Sequence, residues 1–193
     1  MILGVMMAIK IYVDQGHNPV NPNAGAEGNG LREQDITYRV GQELAVLLRA
    51  DPNYEVRLSR PTEDTQLGTS LNSSLQARVQ DANAWGADYF ISLHNNASEI
   101  ASASGTESYV YSRSGQAFPL AESIVTSVTD ITGLPDRGTF VRSGLYVLRK
   151  TAMPAVLVEL GFITNPGDAA LMSQNPGLFA QGVYQGIRNY TGV

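Results

Sequence analysis

Two histidines occur in the chain, and each follows the end of an apolar run: Ile11-Tyr-Val-Asp-Gln-Gly-His17 and Phe90-Ile-Ser-Leu-His94. One strand-end imidazole is as readily a hydrogen-bonded structural group as a ligand. Two at equivalent places on strands that share one edge of a parallel sheet point instead to a shared metal ion. The chain has no Cys, so thiolate nucleophiles are excluded and a zinc ion would have to be held by imidazole and carboxylate. A catalytic zinc takes three protein ligands and leaves a further position for water, so one carboxylate should complete the pair. Asp14, Glu27, Glu33 and Asp35 are the candidates. Glu33 stands where a long loop turns into a helix, a place that also suits an acid favoured by the helix dipole. Glu27 falls in the more mobile part of that loop. Asp14 suits a turn, or an acid that orients His17.

A second feature is Pro154-Ala-Val-Leu-Val-Glu159-Leu-Gly-Phe-Ile-Thr-Asn165, in which a continuous apolar strand ends on a carboxylate. Burying an unpaired carboxylate costs several kcal/mol or forces its neutralisation, so Glu159 wants a partner. A metal centre with its water would serve; an ion pair with an arginine such as Arg149 is the structural alternative. Competing chemistries have less support. No G-x-S-x-G elbow or H-E-x-x-H helix occurs, and Gly25-Ala-Glu-Gly28-Asn-Gly30 lacks the spacing of a dinucleotide loop.

The elements that must position these groups alternate. Strand-like segments fall at Ala8–Val13, Glu55–Leu58, Tyr89–Leu93, Gly105–Tyr111 and Ala155–Glu159, with helix-period stretches at Gln34–Arg49, Leu71–Trp85, Ala117–Ile131 and Pro176–Tyr190. The strands are short and nearly continuous in apolar character, as in sheets covered on both faces. This predicts an α/β fold: a single domain over residues 1–193 with a mostly parallel, twisted sheet, helices on both faces, and the site at the carboxyl ends of the strands. The long loop Asp14–Arg32, rich in Gly, Asn and Pro, is then the functional loop.

Composition sets the outer bounds. With 193 residues, 43% hydrophobic and 16% charged, the chain can bury one core. A net charge of -5 opposes binding to nucleic acid, which draws on Lys and Arg. The apolar opening Met1–Met7 is too short to span a membrane and lacks the basic flank and cleavage site of a signal peptide, and Met6 or Met7 offers an alternative start. A monomer without an appended binding module is expected.

Taken together, the motifs resemble the zinc-dependent N-acetylmuramoyl-L-alanine amidases of bacterial cell-wall turnover, sporulation and phage lysis. The resemblance runs through Val13-Asp-Gln-Gly-His17, Gly25-Ala26, Leu31-Arg-Glu33, Arg60, Arg78 with Ala82-Asn83, and Ile91-Ser-Leu-His94-Asn-Asn96-Ala97. It continues through Gly105, Arg137-Gly138, Leu145-Tyr-Val-Leu-Arg149 and Met153–Asn165. It implies one Zn²⁺ held by His17, Glu33 and His94, Glu159 as the catalytic carboxylate, peptidoglycan as substrate and action at the cell wall. Arg149 and Asn96 are the candidate substrate contacts, Arg149 because a guanidinium grips carboxylates bidentately; Asn96 is equally read as pinning the loop behind His94. Arg60, Arg78 and Arg137 are read as loop anchors. The chain has Asp14-Gln-Gly-His-Asn-Pro19 where the family has Asp-Pro-Gly-His-Gly-Gly, a departure that concerns the path of the loop. A zinc carboxypeptidase, another peptide amidase, or an inactive wall-binding module would share much of this pattern.

Overall fold

The structure, a computed structural model, describes residues 7–193. Met1 to Met6, which hold most of the apolar opening segment, lie outside the described residues. The elements in chain order are β1 (Ile9–Gln15), β2 (Glu27–Gly28), β3 (Leu31–Arg32), α1 (Glu33–Ala50), β4 (Tyr54–Leu58), α2 (Leu71–Trp85) and β5 (Tyr89–Asn96). They continue with β6 (Thr106–Val110), α3 (Ala117–Thr132), β7 (Asp136–Val141), α4 (Tyr146–Lys150), β8 (Ala155–Phe162), α5 (Pro166–Gln174) and α6 (Pro176–Thr191).

Six strands form one sheet in the order β4-β1-β5-β8-β6-β7. β4, β1, β5 and β8 are mutually parallel; β6 runs antiparallel to β8, and β7 follows β6. The expected mostly parallel α/β sheet with two covered faces is what the chain forms. Successive side chains of a strand point to opposite faces, and this divides the core in two. Ile11, Val13, Ile91, Leu93, Val156 and Val158 pack with α1, α3 and α6. Tyr12, Phe90, Ala155 and Leu157 face the other way, against Val79 and Ala82 of α2 and Val147 and Leu148 of α4. Helix α1 shows the sequence logic: Ile36, Val40, Leu44 and Leu48 recur every fourth residue and are all buried.

Elements that the apolar pattern does not reveal complete the frame. β7 is an edge strand on which only Thr139 is buried, α4 has five residues, and α5 is started by Asn165, whose side chain accepts from the amides of Gly167 and Asp168. The loop after β1, expected to lack regular structure, contains the β2–β3 hairpin immediately before α1. Among the described residues no helix is long and apolar enough to cross a membrane.

Candidate metal centre

The parity of the strands sets the site. Asp14, His94 and Glu159 fall on the face covered by α2 and α4, at the carboxyl ends of β1, β5 and β8. His94 and Glu159 are direct register partners.

His17 is delivered by the turn after β1. The amide of Gly16 extends the strand ladder to the carbonyl of Leu93 at 3.0 Å, and His17 itself sits in the left-handed region at φ 68°. A non-glycine residue there costs on the order of 1–3 kcal/mol unless its surroundings enforce it. Arg78 of α2 is the enforcing group: its Nη2 donates to the His17 carbonyl at 2.5 Å, and its Nη1 donates to the Gln15 carbonyl at 2.7 Å and to Asp14 Oδ1 at 2.5 Å. Asp14 also accepts from Ser92 Oγ at 2.7 Å. Burial pushes the Asp14 carboxyl up, but the Arg78 guanidinium and the Ser92 hydroxyl outweigh it and hold the group below its ordinary range. Asp14 is therefore neither a turn residue nor an acid bonded to the His17 ring: it lies within β1 and acts on the loop through Arg78. Arg60, also buried, donates to the carbonyls of Gln34 and Glu63 and so anchors the start of α1.

Glu33 is the first residue of α1, and the hairpin aims it: its amide donates to the Ala26 carbonyl at 2.9 Å. Its Oε1 lies 3.1 Å from His17 Nε2 and 3.0 Å from His94 Nδ1 and accepts from the Asn95 amide at 2.9 Å, while Oε2 accepts from the Ala26 amide at 2.9 Å. The imidazole rings meet edge to face, 4.8 Å between centroids. Burial pushes the Glu33 carboxyl up, but the bonds and charges of the two imidazoles overcome it and keep the group ionised far below its ordinary value. Two glycines make this packing possible. A Cβ on Gly16 would stand 2.5 Å from His94 Cε1, and one on Gly25 would stand 2.8 Å from Glu33 Oε2 and 2.9 Å from His17 Cδ2.

Of the four candidate acids, only Glu33 joins the histidines. Glu27 is exposed on β2, Asp35 pairs with Arg32 at 2.7 Å, and Asp14 is committed to Arg78. Among the described residues, His17, Glu33 and His94 form the group whose ligand atoms lie within 4.8 Å of one another. Two imidazole nitrogens and a carboxylate oxygen facing one point repel one another through their lone pairs unless protons or a cation lie between them. The donor set is that of a His₂Glu zinc site, with one carboxylate oxygen 3.0 and 3.1 Å from the two ring nitrogens. The residues fit zinc.

Glu159 stands beside this cluster without an ion-pair partner among the described residues, and its Oε2 is sealed from solvent with no hydrogen bond. Burial, then the charges of Glu33 and Glu107, push its carboxyl well up. Arg149 does not pair with it. That arginine is exposed on the last turn of α4 and lines a separate hollow with Met153, Pro154 and Ala155, at the opposite end of β8. Asn96 is turned to structure: its Nδ2 donates to Glu107 Oε1 at 2.9 Å, and its Oδ1 accepts from the Ala97 amide. Glu107 was not singled out by the sequence. It is the register partner of Glu159 on β6, and it is fixed by Asn96, by the Tyr109 hydroxyl and by Arg137 Nε at 2.7 Å. A carboxylate in the interior of the predicted strand Gly105–Tyr111 was the available signal. Beside the two imidazoles opens a largely apolar cavity of about 130 Å³ lined by Leu75, Leu145, Tyr146 and Leu157.

Fold and site together define an α/β domain with a candidate metallohydrolase centre at the carboxyl edge of its sheet. The profile of the N-acetylmuramoyl-L-alanine amidase family (Amidase_3) matches residues 11–189, and the chain belongs to that family. It is 35% identical over 183 residues to N-acetylmuramoyl-L-alanine amidase CwlM of Bacillus licheniformis, covering 94% of this chain and 66% of the relative. It is 34% identical over 182 residues to the sporulation-specific N-acetylmuramoyl-L-alanine amidase of Bacillus subtilis, again covering 94% of this chain and 66% of the relative. The chain thus spans a little under two thirds of these curated relatives. Among solved structures, the catalytic domain of CwlV, an N-acetylmuramoyl-L-alanine amidase from Bacillus (Paenibacillus) polymyxa var. colistinus, superposes with a TM-score of 0.84 at 30% identity, covering 96% of this chain and 99% of that one.

Proposed function

We propose that the chain hydrolyses the amide between N-acetylmuramic acid and L-alanine in peptidoglycan, using one zinc ion held by His17, Glu33 and His94, and that it acts at the bacterial cell wall. The observation that carries this reading is the convergence of those three side chains beside the unpartnered carboxyl of Glu159. Membership of the amidase family supports the choice of substrate.

When bound, zinc supplies a divalent charge that activates water near neutral pH, polarises the scissile carbonyl and favours the ionised form of a carboxylate beside it. The residues of the chain do the rest. Glu33 and the two imidazoles fix the position of the reacting atoms, and Arg78 fixes His17. Glu159 accepts the proton of the attacking water as the C–O bond forms. It then returns that proton to the alanine nitrogen as the C–N bond breaks, because an amine leaves far more readily neutral than as an anion. Glu159 is suited to this shuttle because none of the ion pairs among the described residues engages its carboxyl.

Mass spectrometry of digested peptidoglycan tests the assignment. Free lactyl carboxyls on muramic acid and intact stem peptides beginning with L-alanine are expected. Released terminal amino acids would make the chain a carboxypeptidase, and undigested wall would make it a binding module.

A further inference from the structure

Beyond Glu159 the sheet has an open corner. On this face Glu107 and Tyr109 of β6 stand opposite Glu159 and Leu157 of β8, and Phe140 of β7 stands beside Tyr109 with ring centroids 6.5 Å apart. The cover supplied by α2 and α4 stops short of β7, leaving Phe140 44% exposed. The guanidinium of Arg142, just past the end of β7, lies 5.2 Å from the centre of the Tyr109 ring. Arg142 is exposed and forms no ion pair among the described residues. The acid at this corner, Glu107, is already taken by Arg137, Asn96 and Tyr109.

A cation over an aromatic ring is pre-positioned without being neutralised, so Arg142 keeps its full capacity for an anion. One strand spacing of about 5 Å separates Glu159 from Glu107, and two residues along β6 add about 7 Å. The backbone of Tyr109 therefore stands roughly 9 Å from that of Glu159, and two extended residues span about 7 Å before their side groups add reach. A peptide leaving the scissile amide across β6 reaches Arg142 with the side groups of its second residue. The glycan side of that amide presents hydroxyls and acetamides, whereas the stem peptide presents carboxylates, free or amidated. Charge complementarity selects the peptide.

Resting on the amidase reading above, we propose that Arg142, held over Tyr109, binds the carboxylate of the stem-peptide residue that follows L-alanine and makes the enzyme prefer the free acid to its amide. Arg149, the arginine singled out from the sequence, has no part in this contact.

The test uses the zinc-loaded protein and two synthetic muropeptides that differ only in carrying a carboxylate or a carboxamide on the residue after L-alanine. The wild type should favour the carboxylate in kcat/KM by about tenfold, the scale of one charge-assisted contact, and the preference should shrink as salt is raised. Arg142→Gln should bring the ratio to about one, and Arg142→Lys should restore part of it, since charge returns without the planar fork. Arg113→Gln, which removes an arginine lying over Phe118, should leave the ratio as in the wild type. Because each variant is read as a ratio between substrates, loss of folded protein does not imitate the result. A wild-type ratio near one, or a ratio undiminished in Arg142→Gln, overturns the proposal while leaving the amidase reading intact. Failure to cut either substrate between the lactyl group and L-alanine overturns both.

Discussion

His94 and Glu159 are register partners on the adjacent parallel strands β5 and β8, so one strand pair presents a metal-ligand candidate and a proton-transfer candidate side by side. That pairing separates two roles which mutation can test independently.

Glu159→Gln keeps the shape of the side chain and removes its capacity to carry a proton between water and the amine. We expect kcat to fall by about a thousandfold, within the range of general acid–base contributions, with zinc content unchanged. The stability effect has the opposite sign. Burial raises the Glu159 carboxyl above its ordinary 4.5, so in the metal-free protein its stability contribution is fully present below that value and is lost as pH rises through the folded value. At pH 7 metal-free Glu159→Gln should therefore melt higher than the metal-free wild type, by roughly 2–8 °C for about 1–2 kcal/mol, and the two should converge near pH 4. Thermal melts in chelator at the two pH values check this.

Arg78→Met should be strongly destabilising. The Arg78–Asp14 pair is buried on both sides, and cutting one member of such a pair leaves an uncompensated charge at about 3–5 kcal/mol. It also releases the His17 carbonyl, so zinc affinity should fall along with the denaturation midpoint. Since Asp14 is held below its ordinary 3.8, the pair stabilises the fold above that pH, and the contribution is lost as pH falls through the folded value. Asp14→Asn should accordingly flatten the decline of stability on acidification, as urea titrations from pH 6 to pH 3 would record.

Gly16→Ala and Gly25→Ala probe the packing around the candidate ligands without removing any of them. The added methyl meets the His94 ring in the first case and Glu33 with His17 in the second. Either variant should bind zinc roughly 10–100-fold more weakly, as when a group that orients a metal ligand is lost, with a smaller change in the melting of the metal-free chain. Competition against a fluorescent zinc chelator gives the affinities.

The legibility of the chain follows from how each element is buried. β1, β5 and β8 were readable because both faces are covered and each carries an apolar stretch, Ile11–Val13, Tyr89–Ile91 and Ala155–Val158. β7 was not, since an edge strand carrying Arg137, Gly138 and exposed Phe140 has no apolar run to detect. The two-residue strands of the hairpin leave no period at all, yet they convert the long loop into a lever that aims Glu33. For the candidate site, strand-end placement pointed to the two histidines that the fold brings together. The choice among Asp14, Glu27, Glu33 and Asp35 needed the family resemblance, because each is equally an acid near a turn; only three-dimensional pairing separates them. Glu107 and Arg142 stayed hidden for the same reason, as strand parity and a neighbouring ring give them their meaning.

Elemental analysis of the purified protein and of its His94→Ala variant, paired with amide hydrolysis before and after chelation, tests whether this site holds zinc and whether hydrolysis needs it. One zinc per wild-type chain is predicted, with activity abolished by chelator and restored by added zinc, and with little zinc retained by His94→Ala. Stoichiometric zinc in His94→Ala, or hydrolysis by the wild type that is indifferent to chelation, would contradict the account.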